Sequence, residues 1–460
     1  MDLKDVWARS EELLGKTVEI DGWIRNHRKQ KNFGFIDFTD GTCFKQIQIV
    51  YDDKLQDFDN IQKLKVGASI HIEGVLERSS GKGQSLEIQA KNVVMLGDSA
   101  DDYPIQPKRH TMEFLRAQAY LRPRTNLFSA VFRVRSVAAM AIHTYLQDNG
   151  FVYVHSPIFT DSDCEGAGEM FQVTTLDLKK VPKNPDGTVD YSKDLFGKKV
   201  GLTVSGQLEG ETFSFAFKRI YTFGPTFRAE NSNTKIHACE FWQIEPEMAF
   251  CDLEQLMEVE EGLLKFVVGY VLEKCPDEME FLNKFVDNTL LEKLNTFLKS
   301  NSVKIDYTEV VELLKKAGRD WEFKPEYGAD IAKEHEKYLT EELFKCPVFV
   351  KNWPKEIKSF YMKQNDDGKT VAAVDYLVPG AGELMGGSQR QEDYDKLIDA
   401  MKIRNMNIDA IAWYTNLRRY GSCVHSGFGM GFERLMIYLT GVENIRDVVP
   451  FPRTPRNCLY

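Results

Sequence analysis

One stretch of aromatic and turn residues, Tyr221–Phe250, constrains the fold more than any other part of the chain. Its two ends, Tyr221–Phe227 and Phe241–Phe250, are rich in the aromatic and apolar residues that favour strands. The Asn-Ser-Asn-Thr run at 231–234 between them has the composition of a loop. The pattern predicts a strand, a loop and a returning strand, with Arg228 at the point where the first strand enters the loop.

A second stretch, Gly427–Arg434, reads Gly-Phe-Gly-Met-Gly-Phe-Glu-Arg. Glycines at alternate positions predict a strand against which a ligand can lie, because no side chain stands in its way. A helix that opens with Glu-Arg is expected to follow. Arg228 could hold a phosphate with its planar fork of donors, and Phe241 could offer a flat face to a base. For Arg228 alone, a surface hairpin with one ion pair is the alternative.

The two stretches together resemble motif 2 (Phe-Arg-x-Glu, a loop, then Glu-Phe) and motif 3 (Gly-x-Gly-x-Gly-x-Glu-Arg) of the class II aminoacyl-tRNA synthetases. The resemblance implies a catalytic domain with an antiparallel sheet flanked by helices, which activates an amino acid with ATP and then charges tRNA. The predicted helix Leu127–Asn149 and strand Phe151–Val154, which runs to Pro157, resemble motif 1. In this family motif 1 forms the dimer interface, so a homodimer through residues 127–157 is expected.

The N-terminal part of the chain predicts a second kind of fold. Five segments alternate in polarity or are rich in β-branched and aromatic residues, which predicts five strands. They are Thr17–Arg25, Phe33–Thr39, Phe44–Tyr51, Ala68–Glu77 and Ser85–Leu96. Asp57–Leu64 fits a short helix between the third and fourth strands. This order matches an OB barrel, which commonly binds single-stranded nucleic acid on strands 2 and 3.

A basic run, Arg25–Lys31, falls in the predicted loop between the first two strands and holds four Lys or Arg residues and one His. With the aromatic residues of strand 2, it favours nucleic-acid binding over a merely solvated loop. The segment is similar to the anticodon-binding domain of the class IIb synthetases, those for aspartate, asparagine and lysine. The resemblance implies that Phe35 stacks on the central anticodon base, that Gln46 reads its edge, and that Arg28 contributes from the basic loop.

The chain is therefore expected to be an α+β protein. The predicted parts are an OB-fold anticodon-binding domain at 1–100, a hinge at 101–125 and a class II catalytic domain at 126–460. Insertions are expected near 179–199 and 275–345. Ser302–Glu342, within the second, is expected to be helical, and Ser359–Gln364 is expected to be a strand.

Composition limits the setting in which the protein works. The eight cysteines are scattered without a Cys-x-x-Cys pair, which argues against a zinc ribbon and for a reducing compartment. No apolar run reaches membrane-spanning length, and the N-terminus lacks the apolar core of a signal peptide. We expect a cytoplasmic protein without a membrane partner. Its net charge of −10 means that any contact with nucleic acid must be local.

The family resemblance also implies the ATP site. The residues expected to bind ATP are Arg228, Glu230, His237, Phe241, Glu383, Gly431 and Arg434. Arg228 and Arg434 are the expected catalytic residues, the first on the α-phosphate and the second on the adenine and the γ-phosphate. Asp375 and Glu383 are expected to bind Mg²⁺, which bridges the phosphates. No protein nucleophile is needed, so catalysis would rest on positioning and charge stabilisation.

The amino acid is expected to contact Glu165, Ser205, Gln207, Glu211 and Arg390. Aspartate enzymes carry a Lys in a Gln-Ser-Pro-Gln-x-x-Lys segment, and that position is Gly210 here. Losing the Lys while keeping Arg390 leaves one donor for a side-chain carbonyl. Glu211, or alternatively Glu209, could accept from an amide NH₂. These residues predict L-asparagine as the substrate and tRNA(Asn) as the partner.

Three rival interpretations remain. An aspartyl-tRNA synthetase is disfavoured by Gly210. A tRNA-independent amide-forming ligase on the same catalytic fold would lack the N-terminal barrel. A non-enzymatic RNA-binding relative would be expected to lose Arg228 or Arg434, and both are present.

Overall fold

The computed structural model describes residues 1–81, 83–164, 170–232 and 234–460. Contacts within the chain divide it into two units, Met1–Ala130 and Val131–Tyr460. Within the described ranges, none of the helices is long and apolar enough to cross a membrane.

Five strands form a closed barrel in the first unit. They are β1 (Thr17–Lys29), β2 (Phe33–Thr39), β3 (Ile47–Asp52), β4 (Ser69–Arg78) and β5 (Leu86–Gly97). Around the barrel they follow the order β1-β2-β3-β5-β4, and alternate residues of β1, β2 and β4 face the core. The accompanying helices are α1 (Leu3–Ala8), α2 (Ser10–Leu13) and α3 (Phe58–Ile61). The predicted barrel of five strands is confirmed.

One detail of the barrel differs from the prediction. Residues 26–29 of the basic run extend β1 instead of forming a loop, and Asn26–Lys29 pair with Gly34–Asp37 of β2. A register shift between Ile24 and Asn26 accompanies this extension. The basic side chains are therefore held on a strand, where their spacing is fixed.

The second unit is built on an eight-stranded sheet. Its strands, with those of a small separate sheet, are β6 (Val152–Tyr153), β7 (Phe159–Thr160), β8 (Gln172–Val173), β9 (Val200–Leu202), β10 (Arg219–Phe227), β11 (Glu240–Ala249), β12 (Val303–Asp306), β13 (Val348–Pro354), β14 (Thr370–Val378), β15 (Gly382–Gln389) and β16 (His425–Gly431). The large sheet has the order β12-β13-β14-β15-β16-β11-β10-β6, and the small sheet has the order β7-β9-β8. In the large sheet, the β12–β13 and β10–β6 pairs are parallel and the others are antiparallel.

Helices surround this sheet. They are α5 (Asn126–Asp148), which begins in the first unit, α6 (Gln207–Phe217), α7 (Leu253–Lys274), α8 (Pro276–Phe285), α9 (Leu290–Lys299), α10 (Tyr307–Lys316), α11 (Lys333–Lys337), α12 (Tyr394–Ile403), α13 (Ala412–Thr415) and α14 (Phe432–Thr440). One further short helix, α4 (Met112–Ala117), precedes α5 in the first unit. Helix α7 packs against β14, β15 and β16, and α6 packs against β10 and β11. The predicted sheet flanked by helices is confirmed.

Contacts with β11 explain why β16 carries glycines at alternate positions, and the sequence alone did not reveal them. A Cβ atom on Gly427 would lie 2.2 Å from the carboxyl carbon of Glu247, and one on Gly429 would lie 2.9 Å from Nε2 of Gln243. Two polar side chains of β11 therefore lie across β16 where side chains of that strand would otherwise stand. These glycines give room to the polar lining of the site as well as to a ligand.

Two segments depart from the predicted secondary structure. Val303–Asp306, inside a stretch expected to be helical, forms β12 beside β13 at the edge of the sheet. Ser359–Gln364, expected to be a strand, makes only two isolated bridges, at Met362 and Gln364. The adjacent residues Phe360 and Tyr361 are both buried, which breaks the alternation that a strand with one buried face requires.

Candidate active site

A cavity of about 390 Å³ opens beside the central strands of the large sheet. All the residues predicted to bind ATP line it: Arg228, Glu230, His237, Phe241, Glu383, Gly431 and Arg434. The pairing of β11 with β16 explains why, since Gln243 lies opposite Gly431. The end of the motif 2 strand and the start of the motif 3 helix therefore border one cavity.

Arg228 and Phe241 lie next to each other across the β10–β11 hairpin. The guanidinium carbon of Arg228 is 5.4 Å from the centre of the Phe241 ring. The backbone N–H of Arg228 donates to the carbonyl of Cys239 at 3.0 Å, so pairing continues beyond the end of β10. The hairpin thus holds a cation and an aromatic face together at one wall of the cavity.

A second wall of the cavity carries Arg434, which lies close to Glu383. Nη1 of Arg434 is 3.5 Å from Oε2 of Glu383 and donates to the Glu383 carbonyl at 3.3 Å. The pKa of His237 is lowered, first by partial burial and then by the positive charge of Arg434. The lowered pKa favours the neutral imidazole, which can share a hydrogen bond with a ligand without adding charge.

Glu336 of α11 is a neighbour of this wall that sequence reasoning missed. Its Oε2 accepts the backbone N–H of Glu383 at 3.2 Å. Burial, followed by the charge of Glu383, raises the pKa of Glu336 to about 7. Glu336 lies in the predicted insertion, where no family motif drew attention to it.

Asp375 and Glu383 converge on Gly386 from two strands. A Cβ atom at Gly386 would lie 3.3 Å from Oε1 of Glu383 and 3.6 Å from Oδ1 of Asp375. Burial raises the pKa of Asp375 to about 6, while Lys358, 2.8 Å from Oδ2, opposes that rise. The described parts of the chain contain no group of three or more His, Cys, Asp or Glu side chains arranged around a metal position. Two carboxylates nevertheless suit Mg²⁺, which takes its other ligands from phosphates and water.

Arg390 lies in a second, buried part of the site. Its Nη2 and Nε donate to Glu247 at 2.5 and 3.2 Å, and its Nη1 donates to Ser388 at 2.9 Å. Burial would lower the pKa of Arg390, but the charge and hydrogen bonds of Glu247, together with the charge of Glu211, outweigh it and raise that pKa. Arg390 is thus a fixed cation, and its ion-pair partner is Glu247.

Glu211 is fully buried and is held by side chains of three other segments. Among the described residues, the contacts of its carboxylate are Tyr414 at 2.8 Å, Arg418 at 2.8 Å, Nε2 of His425 at 3.0 Å and Nε2 of Gln207 at 3.3 Å. Burial favours the neutral acid, but Arg418 and then His425 outweigh it, and the pKa of Glu211 is lowered. Arg418 belongs to no motif, so no local pattern pointed to its pair with Glu211.

Ser205 and Gln207 begin the segment that leads into α6. Ser205 donates to Glu245, which also accepts the N–H of Gly206 at 2.9 Å and the hydroxyl of Thr222 at 3.1 Å. Glu245 and Glu247 were both missed because neither belongs to a quoted motif. Gly210 faces the same region, since its Cβ would lie 3.7 Å from Cγ of Glu247.

The remaining predicted contacts have mixed outcomes. Glu209 is partly exposed, and its pKa is raised by burial and by the nearby Glu245. Glu165, expected to bind the amino group, lies outside the described residues. Its role stays a prediction.

The barrel presents a separate polar face in the first unit. Arg28 lies opposite Phe35, with its guanidinium carbon 5.2 Å from the ring centre, and donates to Gln48 at 2.6 Å. Gln46 precedes β3, and its amide donates to Asn126 at 2.9 Å. The structure therefore brings Arg28 and Phe35 together, and the glutamine beside them is Gln48.

The family comparison agrees with both units. Residues 111–455 match the family model described as tRNA synthetases class II (D, K and N). The chain belongs to this family. Residues 18–96 match the model described as OB-fold nucleic acid binding domain.

Relatives of this class II synthetase cover its whole length. The asparagine–tRNA ligase of Acholeplasma laidlawii is 56% identical over 461 residues, which is 100% of both chains. That of Clostridium beijerinckii is 56% identical over 453 residues and 98% of each chain. The crystal structure of Pyrococcus horikoshii asparaginyl-tRNA synthetase complexed with asparaginyl-adenylate matches with a TM-score of 0.84. That match has 32% identity and covers 97% of each chain.

Proposed function

We propose that this class II synthetase is an asparagine–tRNA ligase. It activates L-asparagine with ATP to asparaginyl-adenylate and transfers the asparaginyl group to the 3′ end of tRNA(Asn). The observation that carries the proposal is the full-length identity of 56% with asparagine–tRNA ligases. The cavity supports it, because a cation, an aromatic ring and two carboxylates surround the space that a nucleotide and its metal need.

In the activation step, the carboxylate of asparagine attacks the α-phosphorus of ATP and pyrophosphate leaves. Arg228 holds the α-phosphate where negative charge grows, and Phe241 and Arg434 enclose the adenine from the two walls. His237 and Glu230 border the outer phosphates and the adenine side, as expected from the family. Preorganised donors of this kind lower the barrier without a protein nucleophile.

Mg²⁺ would be held by Asp375 and Glu383, and when bound it neutralises phosphate charge. Lys358 now pairs with Asp375, so it would share or release that carboxylate when the metal arrives. Glu336 keeps Glu383 in place through the backbone bond.

The pocket for the substrate side chain distinguishes asparagine from aspartate by charge. Glu211, Glu245 and Glu247 are all at most 5% exposed, and Gly210 replaces the Lys that aspartate enzymes carry. Arg390 can donate to the side-chain carbonyl of asparagine. The carboxylate of aspartate would meet this acidic set without a compensating Lys.

The predicted contact between Glu211 and the side-chain amide of asparagine requires a rearrangement around Glu211. Its oxygens already accept from the protein, so it can meet the substrate only if one of those donors moves aside. In the present arrangement Glu211 acts through its charge and by anchoring α6, which begins with Gln207.

For tRNA, we propose that Phe35 stacks on an anticodon base, with Arg28 and Gln48 as its polar neighbours. We therefore propose that Gln48, which shares the barrel face with Phe35, contacts the edge of the anticodon base in place of Gln46. A homodimer through residues 127–157 completes the proposal, and the cytoplasm is the expected location.

ATP–pyrophosphate exchange across the twenty amino acids tests this function. We expect exchange with asparagine and a rate with aspartate lower by roughly 10⁴, as for sites built on buried hydrogen bonds. Charging of tRNA(Asn) should follow, which separates a tRNA ligase from a tRNA-independent amide-forming enzyme. Equal rates with both amino acids would instead indicate a non-discriminating aspartate enzyme.

A further inference from the structure

An ion pair outside the predicted ATP contacts joins three segments around the cavity. Arg135 of α5 donates through Nη2 to Oε1 of Glu433 at 2.7 Å. The Arg135 side chain is 14% exposed and that of Glu433 is 1% exposed. Nη1 of Arg135 also donates to the carbonyl of Val448 at 3.0 Å, and its guanidinium carbon is 4.5 Å from the Phe432 ring centre. These three contacts fix the arginine in one orientation.

The second oxygen of Glu433 faces the motif 2 strand. Oε2 accepts the backbone N–H of Trp242 at 2.9 Å. The ladder between β11 and β16 ends at the pair of Gln243 and Gly431, so Trp242 is the next residue along β11. The Glu433 carboxylate therefore accepts the first N–H beyond the end of the backbone pairing, and it joins the start of α14 to β11.

The residues next to Trp242 and Glu433 in the sequence are the two that we propose enclose the adenine. Phe241 precedes Trp242, and Arg434 follows Glu433. The Glu433 carboxylate thus sets the distance between β11, which carries Phe241, and α14, which carries Arg434. Its own orientation depends on Arg135, because a buried carboxylate without its cation would lose the charge that holds it in place.

We propose that Arg135 is a positioning residue for ATP. It acts through Glu433, which keeps Phe241 and Arg434 at the separation that a purine ring requires. Arg135 itself does not touch the substrate. The inference rests on the proposed function, and it makes α5, the helix of the expected dimer interface, part of the support of the nucleotide site.

Steady-state exchange kinetics of Arg135→Met and Arg135→Lys test the proposal. Methionine keeps much of the stem but removes the charge and the donors. We expect the KM for ATP of Arg135→Met to rise by roughly tenfold, because small misplacements of binding groups are costly. The KM for asparagine should stay within about twofold, and Arg135→Lys should recover part of the loss because it keeps the charge.

Lys265→Met is the matched control. Lys265 pairs with Glu261 at 2.8 Å and donates to the carbonyl of Ser300 at 2.9 Å, so this variant also loses a half-buried ion pair and a carbonyl contact. Its KM values should equal those of the wild type. In a double-mutant cycle, adding Glu433→Gln to Arg135→Met should cost less than the sum of the single losses.

Several results would overturn the inference. A KM for ATP of Arg135→Met within twofold of wild type would do so, as would equal rises in the KM values for ATP and asparagine. If Arg135→Met does not fold, Glu433→Gln decides. It keeps the size of the side chain but removes the charge that pairs with Arg135, so a KM for ATP within twofold of wild type in that variant counts against the inference. A wild-type protein without asparagine-dependent exchange would contradict the proposed function instead.

Discussion

Arg228 is the residue on which the proposed activation step depends most. It lines the cavity beside Phe241 and is the cation expected at the α-phosphate. We expect Arg228→Ala to lower asparagine-dependent exchange by about 10²–10³, the usual cost of losing one preorganised charge contact. Its circular dichroism spectrum should stay that of the wild type.

Arg319→Ala is a suitable control for this variant. Arg319 forms an exposed ion pair with Glu342, and such pairs contribute little. Exchange within tenfold of wild type in Arg228→Ala would remove that residue from the mechanism.

Glu211 gives a prediction about stability and pH. Because its pKa is lower in the folded chain than the usual value of 4.5, ionised Glu211 stabilises the fold above that pH. The contribution is lost as the pH falls below it. Glu211→Gln leaves Arg418 buried without its counter-charge, so we expect a loss of about 3–5 kcal/mol at pH 7.

Thermal unfolding between pH 7 and pH 3.5 measures this effect. The difference between wild type and Glu211→Gln should shrink towards the acid end. Glu342→Gln, which alters an exposed pair, should change stability by less than about 1 kcal/mol. A Glu211→Gln protein as stable as the wild type at pH 7 would show that the pair with Arg418 adds nothing.

The secondary-structure elements that carry the motifs could be predicted from the sequence. Helix α5, strands β10 and β11, and the β16–α14 junction each have a local periodicity or turn chemistry that marks them. The barrel was predictable for the same reason. By contrast, β12 has only four residues and is fixed by its partner β13, which lies far along the chain.

The contacts inside the site were harder to predict. Arg418 and Glu211 are 207 positions apart, and no local pattern links them. Gln46 and Gln48 are two residues apart, so alternation places both on the same face of a strand. Only the true start of β3, at Ile47, shows that Gln48 belongs to the barrel face and Gln46 precedes it.

This difference yields a prediction about the barrel strands. Phe35→Ala and Gln48→Ala should raise the KM for tRNA(Asn) in aminoacylation and leave ATP–pyrophosphate exchange unchanged. Loss of a base stacked on an aromatic ring costs roughly 1–3 kcal/mol, which is about five- to hundredfold. Gln46→Ala is the matched comparison and should have the smaller effect. If Gln46→Ala is the more damaging of the two glutamine variants, the original assignment was right.

At the scale of the whole molecule, charge and exposed apolar surface decide what the chain associates with. The net charge of −10 is unfavourable for nucleic acid, so the barrel face with Arg28 must supply a local attraction. Contact with a second copy would rely instead on apolar side chains. Within or next to residues 127–157, the exposed ones are Met140, Val152, Ile158 and Phe159.

These side chains lead to a prediction about assembly. Val152 lies in β6, the last strand of the eight-stranded sheet, and an open sheet edge is a place where another chain can pair. Met140, 57% exposed on α5, lies in the same predicted interface segment.

We expect wild-type protein to sediment as a dimer, and Met140→Lys with Val152→Lys to shift it to monomer by placing charge in an apolar contact. Ile403→Lys, at a position 77% exposed on α12, should leave the dimer intact. A double variant that still sediments as a dimer, or a wild type that sediments as a monomer at micromolar concentration, would place the interface elsewhere or exclude it.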